Sequence, residues 1–105
     1  MSVGSPGGSA IIDYVTKALV GTLAWGLDLQ TAIALPNFGS RNGPTELEQG
    51  RVSQELVRGL EARGHVVSIG PRTSGLQGIQ RITRGGRSLW LGCADPRRDG
   101  LALGE

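Results

Sequence analysis

Residues 4–9 read Gly-Ser-Pro-Gly-Gly-Ser and run directly into the apolar stretch Ala-Ile-Ile. A glycine-rich loop ahead of a helix leaves backbone N–H groups without partners, at the end where the helix dipole is positive. Such a loop holds a phosphate, a carboxylate or the oxyanion of a reaction. The spacing narrows the choice. The Lys-Ser/Thr ending of a P-loop is missing, and so is the G-x-G-x-x-G spacing of a dinucleotide site. The other reading is a plain turn in which Gly7 and Gly8 supply positive φ.

Few other residues compete for chemistry. Cys93 is the only cysteine and His65 the only histidine. One cysteine cannot form an internal disulfide. Cys93 lies in Leu-Trp-Leu-Gly-Cys-Ala-Asp, which suits a small buried hydrophobe, and nothing in the sequence brings His65 to it as a base. Asp95, Arg97, Arg98 and Asp99 are clustered enough to suggest acid–base work, but Ala-Asp-Pro-Arg-Arg-Asp-Gly reads as a turn closed by ion pairs. The net charge is only +2, and the arginines are spread among acids. A nucleic-acid footprint would be denser and would include aromatic residues, so no nucleic-acid partner is expected. No stretch approaches the 20 or so apolar residues of a membrane-spanning helix, so no membrane partner is expected either.

These residues need elements to position them. A strand is expected over residues 2–4, then the glycine loop, then a helix from Ser9 to about Leu27. Ile11, Val15, Leu19 and Leu23 give that helix i, i+4 spacing, and Ile12, Ala18, Val20 and Ala24 widen the stripe. So apolar a helix is expected to be buried, with Asp13 and Lys17 paired on its remaining face. Asp28 should cap a short helix that ends before Pro36. Residues 37–44 read as a loop and residues 45–50 as a short extended piece. Ser53 should cap a further helix to Ala62, with Gly64 at its C-cap. His65–Gly70 is a candidate strand, and a hairpin is expected from Leu76 to Ala94 around Arg-Gly-Gly. The fold class is α+β, with helices packed on an antiparallel sheet.

The 105 residues suit one domain, 1–105. With 38% hydrophobic residues and 18 glycines, the chain has many turns and few large side chains to bury. It is expected to lean on a partner surface. The opening Met-Ser-Val-Gly reads as a strand entered midway, as in a fragment.

Five segments in order carry a resemblance: GSPGGSAII, GLDLQTAIALPNF, the LVRGLEARGH helix, GLQGIQ and GCADPRRDG. Together they resemble the C-terminal part of the small subunit of γ-glutamyltranspeptidase (γ-glutamyltransferase, glutathione hydrolase). The resemblance spans roughly Val3 to Gly100. It implies part of the four-layer αββα sandwich of an N-terminal-nucleophile hydrolase. It also implies a precursor that cuts itself into a large and a small subunit. The new N-terminal Thr attacks a γ-glutamyl amide, of glutathione or a related compound. Its own amino group serves as base. The acyl group passes to water, an amino acid or a peptide. No metal or organic cofactor is implied.

By the same resemblance, Gly7 and Gly8 donate their N–H groups to the oxyanion, and Ser5, Pro6 and Ser9 shape the substrate-binding loop. Ser9 is also expected to cap the helix. The nucleophilic Thr, the residues gripping the glutamate amino group and the Ser pair near its carboxylate fall N-terminal to this sequence, and an Arg for that carboxylate belongs to the large subunit. The internal threonines offer no free amine, so the chain by itself is expected to be inactive. Asn37–Pro44 departs from the Arg-Phe-His-His of many relatives, which suggests a divergent bacterial branch and leaves acceptor preference open. The resemblance implies a periplasmic or secreted parent. The alternatives are a small module that binds an anion through the glycine loop, or one that only oligomerises. An open sheet edge makes self-association of the chain an expectation.

Overall fold

The computed structural model describes residues 1–104; Glu105, the last residue of the expected domain, lies outside the described residues. Among the described residues there are three α-helices, α1 (Ile11–Leu23), α2 (Leu29–Ala34) and α3 (Gln54–Ala62), and six strands, β1 (Ser2–Gly4), β2 (Phe38–Gly39), β3 (Thr45–Glu48), β4 (Val67–Gly70), β5 (Gln77–Arg84) and β6 (Arg87–Ala94), in the chain order β1-α1-α2-β2-β3-α3-β4-β5-β6. The strands form two sheets. One is antiparallel in the order β1-β5-β6; the other runs β2-β3-β4, with β2–β3 antiparallel and β3–β4 parallel. The α+β class is as expected. The second sheet is not a simple antiparallel one, because α3 forms a crossover between β3 and β4 and so makes that pair parallel.

Local chemistry sets most boundaries. Asp28 Oδ1 accepts the Thr31 N–H at 2.9 Å and starts α2. Ser53 Oγ accepts the Leu56 N–H at 3.1 Å and starts α3. The β5–β6 turn is Gly85–Gly86, both with positive φ, as two-residue hairpin turns require.

The first helix differs from expectation at both ends. Gly8–Ala10 form a 3-10 turn, and regular helix begins only at Ile11. Ser9 caps nothing; the cap position of that turn is Gly7. The helix stops at Leu23 rather than Leu27. There the Trp25 N–H turns back to Val20 O at 3.1 Å and the Leu27 N–H to Gly21 O at 2.9 Å.

Its buried face also differs. Tyr14, Lys17, Ala18 and Gly21 point inward, at i, i+3, i+4 and i+7. Ile12 and Leu23 are both 75% exposed. The expected apolar stripe thus lies largely on the far side of the helix, uncovered by the described residues. α1 meets α2 so closely that a Cβ on Gly21 would lie 2.8 Å from Ala32 Cβ. Lys17 is buried beside that contact and makes no pair with Asp13. Residues 37–44 are not wholly loop, since Phe38 and Gly39 pair with Leu47 and Glu46. The main core is small: Tyr14, Ala18, Leu29, Ile33, Leu76 and Cys93, between α1, α2 and the β1-β5-β6 sheet.

Candidate functional site

The glycine loop leaves β1 at Gly4 and enters α1 through the 3-10 turn. Gly7 has φ 143° and ψ 13°, and Gly8 has φ 59°. Both values lie where a side chain is strained. Gly7 also has no room for one: a Cβ there would lie 2.8 Å from the Tyr14 ring. A Cβ on Gly8 would meet nothing within 4 Å, so its outer side is open. Among the described residues neither the Gly7 nor the Gly8 N–H has a hydrogen-bond partner. The Gly7 carbonyl is held by the Ala10 N–H at 3.1 Å. That carbonyl and the Gly8 N–H share one planar peptide, so the bond also fixes where the Gly8 N–H points.

The flanking residues sort differently. Ser5 is half-buried; its Oγ donates to Pro6 O at 2.7 Å and accepts from the Gly75 N–H at 3.0 Å. Pro6 packs against Gly75. The Ser9 hydroxyl accepts from the Arg41 guanidinium, which also reaches Glu46 at 3.6 Å. So the structure brings Ser5, Pro6, Gly7 and Gly8 into one constrained loop, and gives Ser9 a contact with a neighbouring loop.

Behind the loop lies a buried polar network that sequence reasoning missed. Lys17 Nζ donates to Ile33 O and Leu35 O, both at 2.8 Å, and to Asn37 Oδ1 at 2.9 Å. Asn37 passes the chain on from Nδ2 to Ser74 Oγ at 2.9 Å, and its N–H donates to Glu48 Oε2 at 2.8 Å. Ser74 Oγ donates to Asp95 Oδ2 at 2.5 Å. Arg97 bonds both oxygens of Glu48, at 2.6 and 2.7 Å, and Asp95 Oδ1 at 3.0 Å. Two cations, Lys17 and Arg97, thus face two carboxylates, and each charge is hydrogen-bonded, as burial demands.

Burial first, then the Arg97 guanidinium, brings the Lys17 ammonium down to about 8. Burial alone would raise Asp95. Hydrogen bonds from the Ser74 hydroxyl, the Leu76 and Arg97 N–H groups and the Arg97 guanidinium outweigh it and hold the carboxyl below its usual range. Glu48 is held low in the same way, chiefly by Arg97. Of the ion pairs expected to close the turn, Asp95–Arg97 is present at 3.0 Å, but it belongs to this buried network rather than to a surface turn. The available signal was the single lysine inside an apolar helix.

Cys93 is buried on β6, and burial, then the Asp28 carboxylate, pushes its thiol up. His65 Nδ1 lies 2.9 Å from Thr45 Oγ1, beside the other sheet. The two residues form no nucleophile–base pair. Among the described residues no three His, Cys, Asp or Glu side chains are placed to hold a metal ion.

The family model for gamma-glutamyltranspeptidase matches residues 1–105, the whole chain. This chain belongs to the γ-glutamyltranspeptidase family. Glutathione hydrolase 5 proenzyme of Rattus norvegicus is 34% identical over 103 residues, which are 97% of this chain and 18% of that protein. Glutathione hydrolase proenzyme of Escherichia coli (strain K12) is 35% identical over 104 residues, 96% of this chain and 17% of that protein. The chain spans about a fifth or less of the length of the curated relatives it matches. The γ-glutamyltranspeptidase from Pseudomonas nitroreducens complexed with L-DON has the same fold, with a TM-score of 0.82 at 19% identity over 98% of this chain and 54% of that one. Cephalosporin acylase from Bacillus halodurans matches with a TM-score of 0.80 at 23% identity over 94% of this chain and 19% of that one. The architecture is thus that of solved γ-glutamyltranspeptidases.

Proposed function

We propose that this chain is the C-terminal part of a γ-glutamyltranspeptidase small subunit and supplies its oxyanion loop. The observation that carries the reading is the pair of unpartnered, constrained N–H groups at Gly7 and Gly8, on an open loop before α1, in a chain of this family. In this reading a Thr at the N-terminus of a preceding segment attacks the carbonyl carbon of a γ-glutamyl amide, of glutathione or a related compound, and its amino group takes the hydroxyl proton. As the C=O double bond becomes single, the oxygen gains negative charge. The Gly7 and Gly8 N–H groups meet that charge with dipoles already fixed, so little reorganisation opposes the step. The turn into α1 adds the positive end of a helix dipole. The intermediate collapses, the amine leaves with the proton, and the γ-glutamyl ester on Thr is released by water or by the amine of an amino acid or peptide.

The chain brings no nucleophile of its own. Cys93 is buried, its thiol pushed up, and no threonine among residues 1–105 carries a free amine. The large subunit and the rest of the small subunit are the proposed partners, and the exposed far side of α1 is a surface they would cover. The test is release of aniline from a γ-glutamyl anilide. The 105-residue chain alone should give none, and the enzyme assembled with the missing segments should turn over. Turnover by the chain alone, above a heat-killed control, would place a nucleophile within it and sink the assignment.

A further inference from the structure

We infer that the Ser5 hydroxyl and the Gly75 N–H form a strut that aims the Gly7 donor, with Ser74 and Asp95 as its anchor. The inference rests on the oxyanion role proposed for Gly7. In a trans peptide the C=O of one residue and the N–H of the next point in opposite directions on one rigid plane. The Pro6 carbonyl and the Gly7 N–H are such a pair. Ser5 Oγ donates to the Pro6 carbonyl at 2.7 Å, so it fixes the orientation of the plane that carries the Gly7 N–H. Accepting a hydrogen bond at that carbonyl also polarises the peptide and strengthens its N–H as a donor.

The Ser5 hydroxyl is itself held from outside the loop, because its Oγ accepts the Gly75 N–H at 3.0 Å across 70 residues of sequence. Gly75 is closely covered. A Cβ there would lie 2.8 Å from Arg98 Cδ and 2.9 Å from Pro6 Cγ, so Arg98 and Pro6 together fill the face of the backbone where a side chain would stand. On one flank of Gly75, Ser74 Oγ donates to Asp95 Oδ2 at 2.5 Å; on the other, the Leu76 N–H donates to the same oxygen at 3.0 Å. Asp95 is 1% exposed and is tied in turn to Arg97. The two donors are therefore aimed by different means. Gly8 is set from within the loop by Ala10, and Gly7 from across the fold by a line that ends in the buried ion pairs. Ser5 and Gly75 are positioning residues, and neither needs to touch substrate.

Two readouts test this. In the 105-residue chain, Ser5→Ala should speed amide exchange at Gly75 about tenfold, since a closed hydrogen bond is lost, and should shift the Gly7 amide resonance. Ser53→Ala, which uncaps α3, should change neither. In the assembled enzyme, Ser5→Ala should lower kcat for a γ-glutamyl anilide about tenfold, with KM within about twofold, because an ill-aimed donor weakens transition-state binding more than ground-state binding. Ser5→Thr, which keeps the hydroxyl, should recover most of the loss. An unmoved Gly7 resonance in folded Ser5→Ala overturns the strut. So does a wild-type Gly75 amide that exchanges as fast as an open loop, whatever the variants do. An active enzyme whose kcat ignores Ser5→Ala overturns the aiming role. A wild-type enzyme without turnover counts against the oxyanion reading, and the exchange data still decide whether the strut exists.

Discussion

Lys17 is the only lysine in the chain, and it is buried with its ammonium on Ile33 O, Leu35 O and Asn37 Oδ1. Because it is alone, a ¹³C-lysine label reads its titration without overlap. The midpoint should fall near 8, below the ordinary lysine value of 10.5. The sign follows from linkage. Between the folded value and 10.5 the unfolded chain binds more protons, so stability from this group rises with pH; it is fully present above 10.5 and lost as pH falls through about 8. A midpoint at the ordinary value would mean that the network is open to water. Asp95 behaves in the opposite range. Its folded value lies below 3.8, so its contribution is present above that pH and lost as pH falls further. Asp95→Asn should cost on the order of 3 kcal/mol at pH 7, because it leaves Arg97 without half of its buried counter-charge. Melting at pH 7 and pH 3 should show the variant losing less on acidification than the wild type.

At the scale of elements, the two capped helices offer a clean contrast. Ser53→Ala should destabilise the chain by about 1 kcal/mol in a urea melt, the usual cost of losing a cap, without touching the glycine loop. An unchanged midpoint would mean that α3 is held by packing alone. Both caps, Asp28 and Ser53, were legible because each acts on an N–H only three residues away. The Gly85–Gly86 turn, with eight register pairs behind it, was legible for the same reason. What the sequence hid is long-range. The burial of Lys17 depends on carbonyls 16 and 18 residues away, and the parallel β3–β4 pair depends on where α3 lies. On α1 the apolar spacing favours the exposed face, because the buried face carries Lys17 and Gly21, and Gly21, which admits α2, is not a large hydrophobe. For the proposed site, the positive φ of Gly7 and Gly8 was legible, but the Gly75 and Ser74 support was not, since it joins residue 5 to residue 75.

The whole molecule is open. Its radius of gyration is 15.1 Å, with extents of 47 × 25 × 22 Å, against about 13 Å for a compact chain of this length. The far side of α1 exposes Ile12 and Leu23, and the hairpin exposes Trp90. Such surfaces, with free strand edges, favour association. Light scattering on the purified chain should therefore show dimers or larger species at micromolar concentration. A clean monomer would indicate that these faces need no cover. The oxyanion role proposed for Gly7 and Gly8 is best probed by kcat of Gly8→Ala in the assembled enzyme. The added Cβ meets no neighbour in the fold but stands at the open side of the loop. kcat for a γ-glutamyl anilide should fall by about 10² or more, in a protein that still folds. A folded Gly8→Ala enzyme with wild-type kcat would show that the loop does not hold the oxyanion.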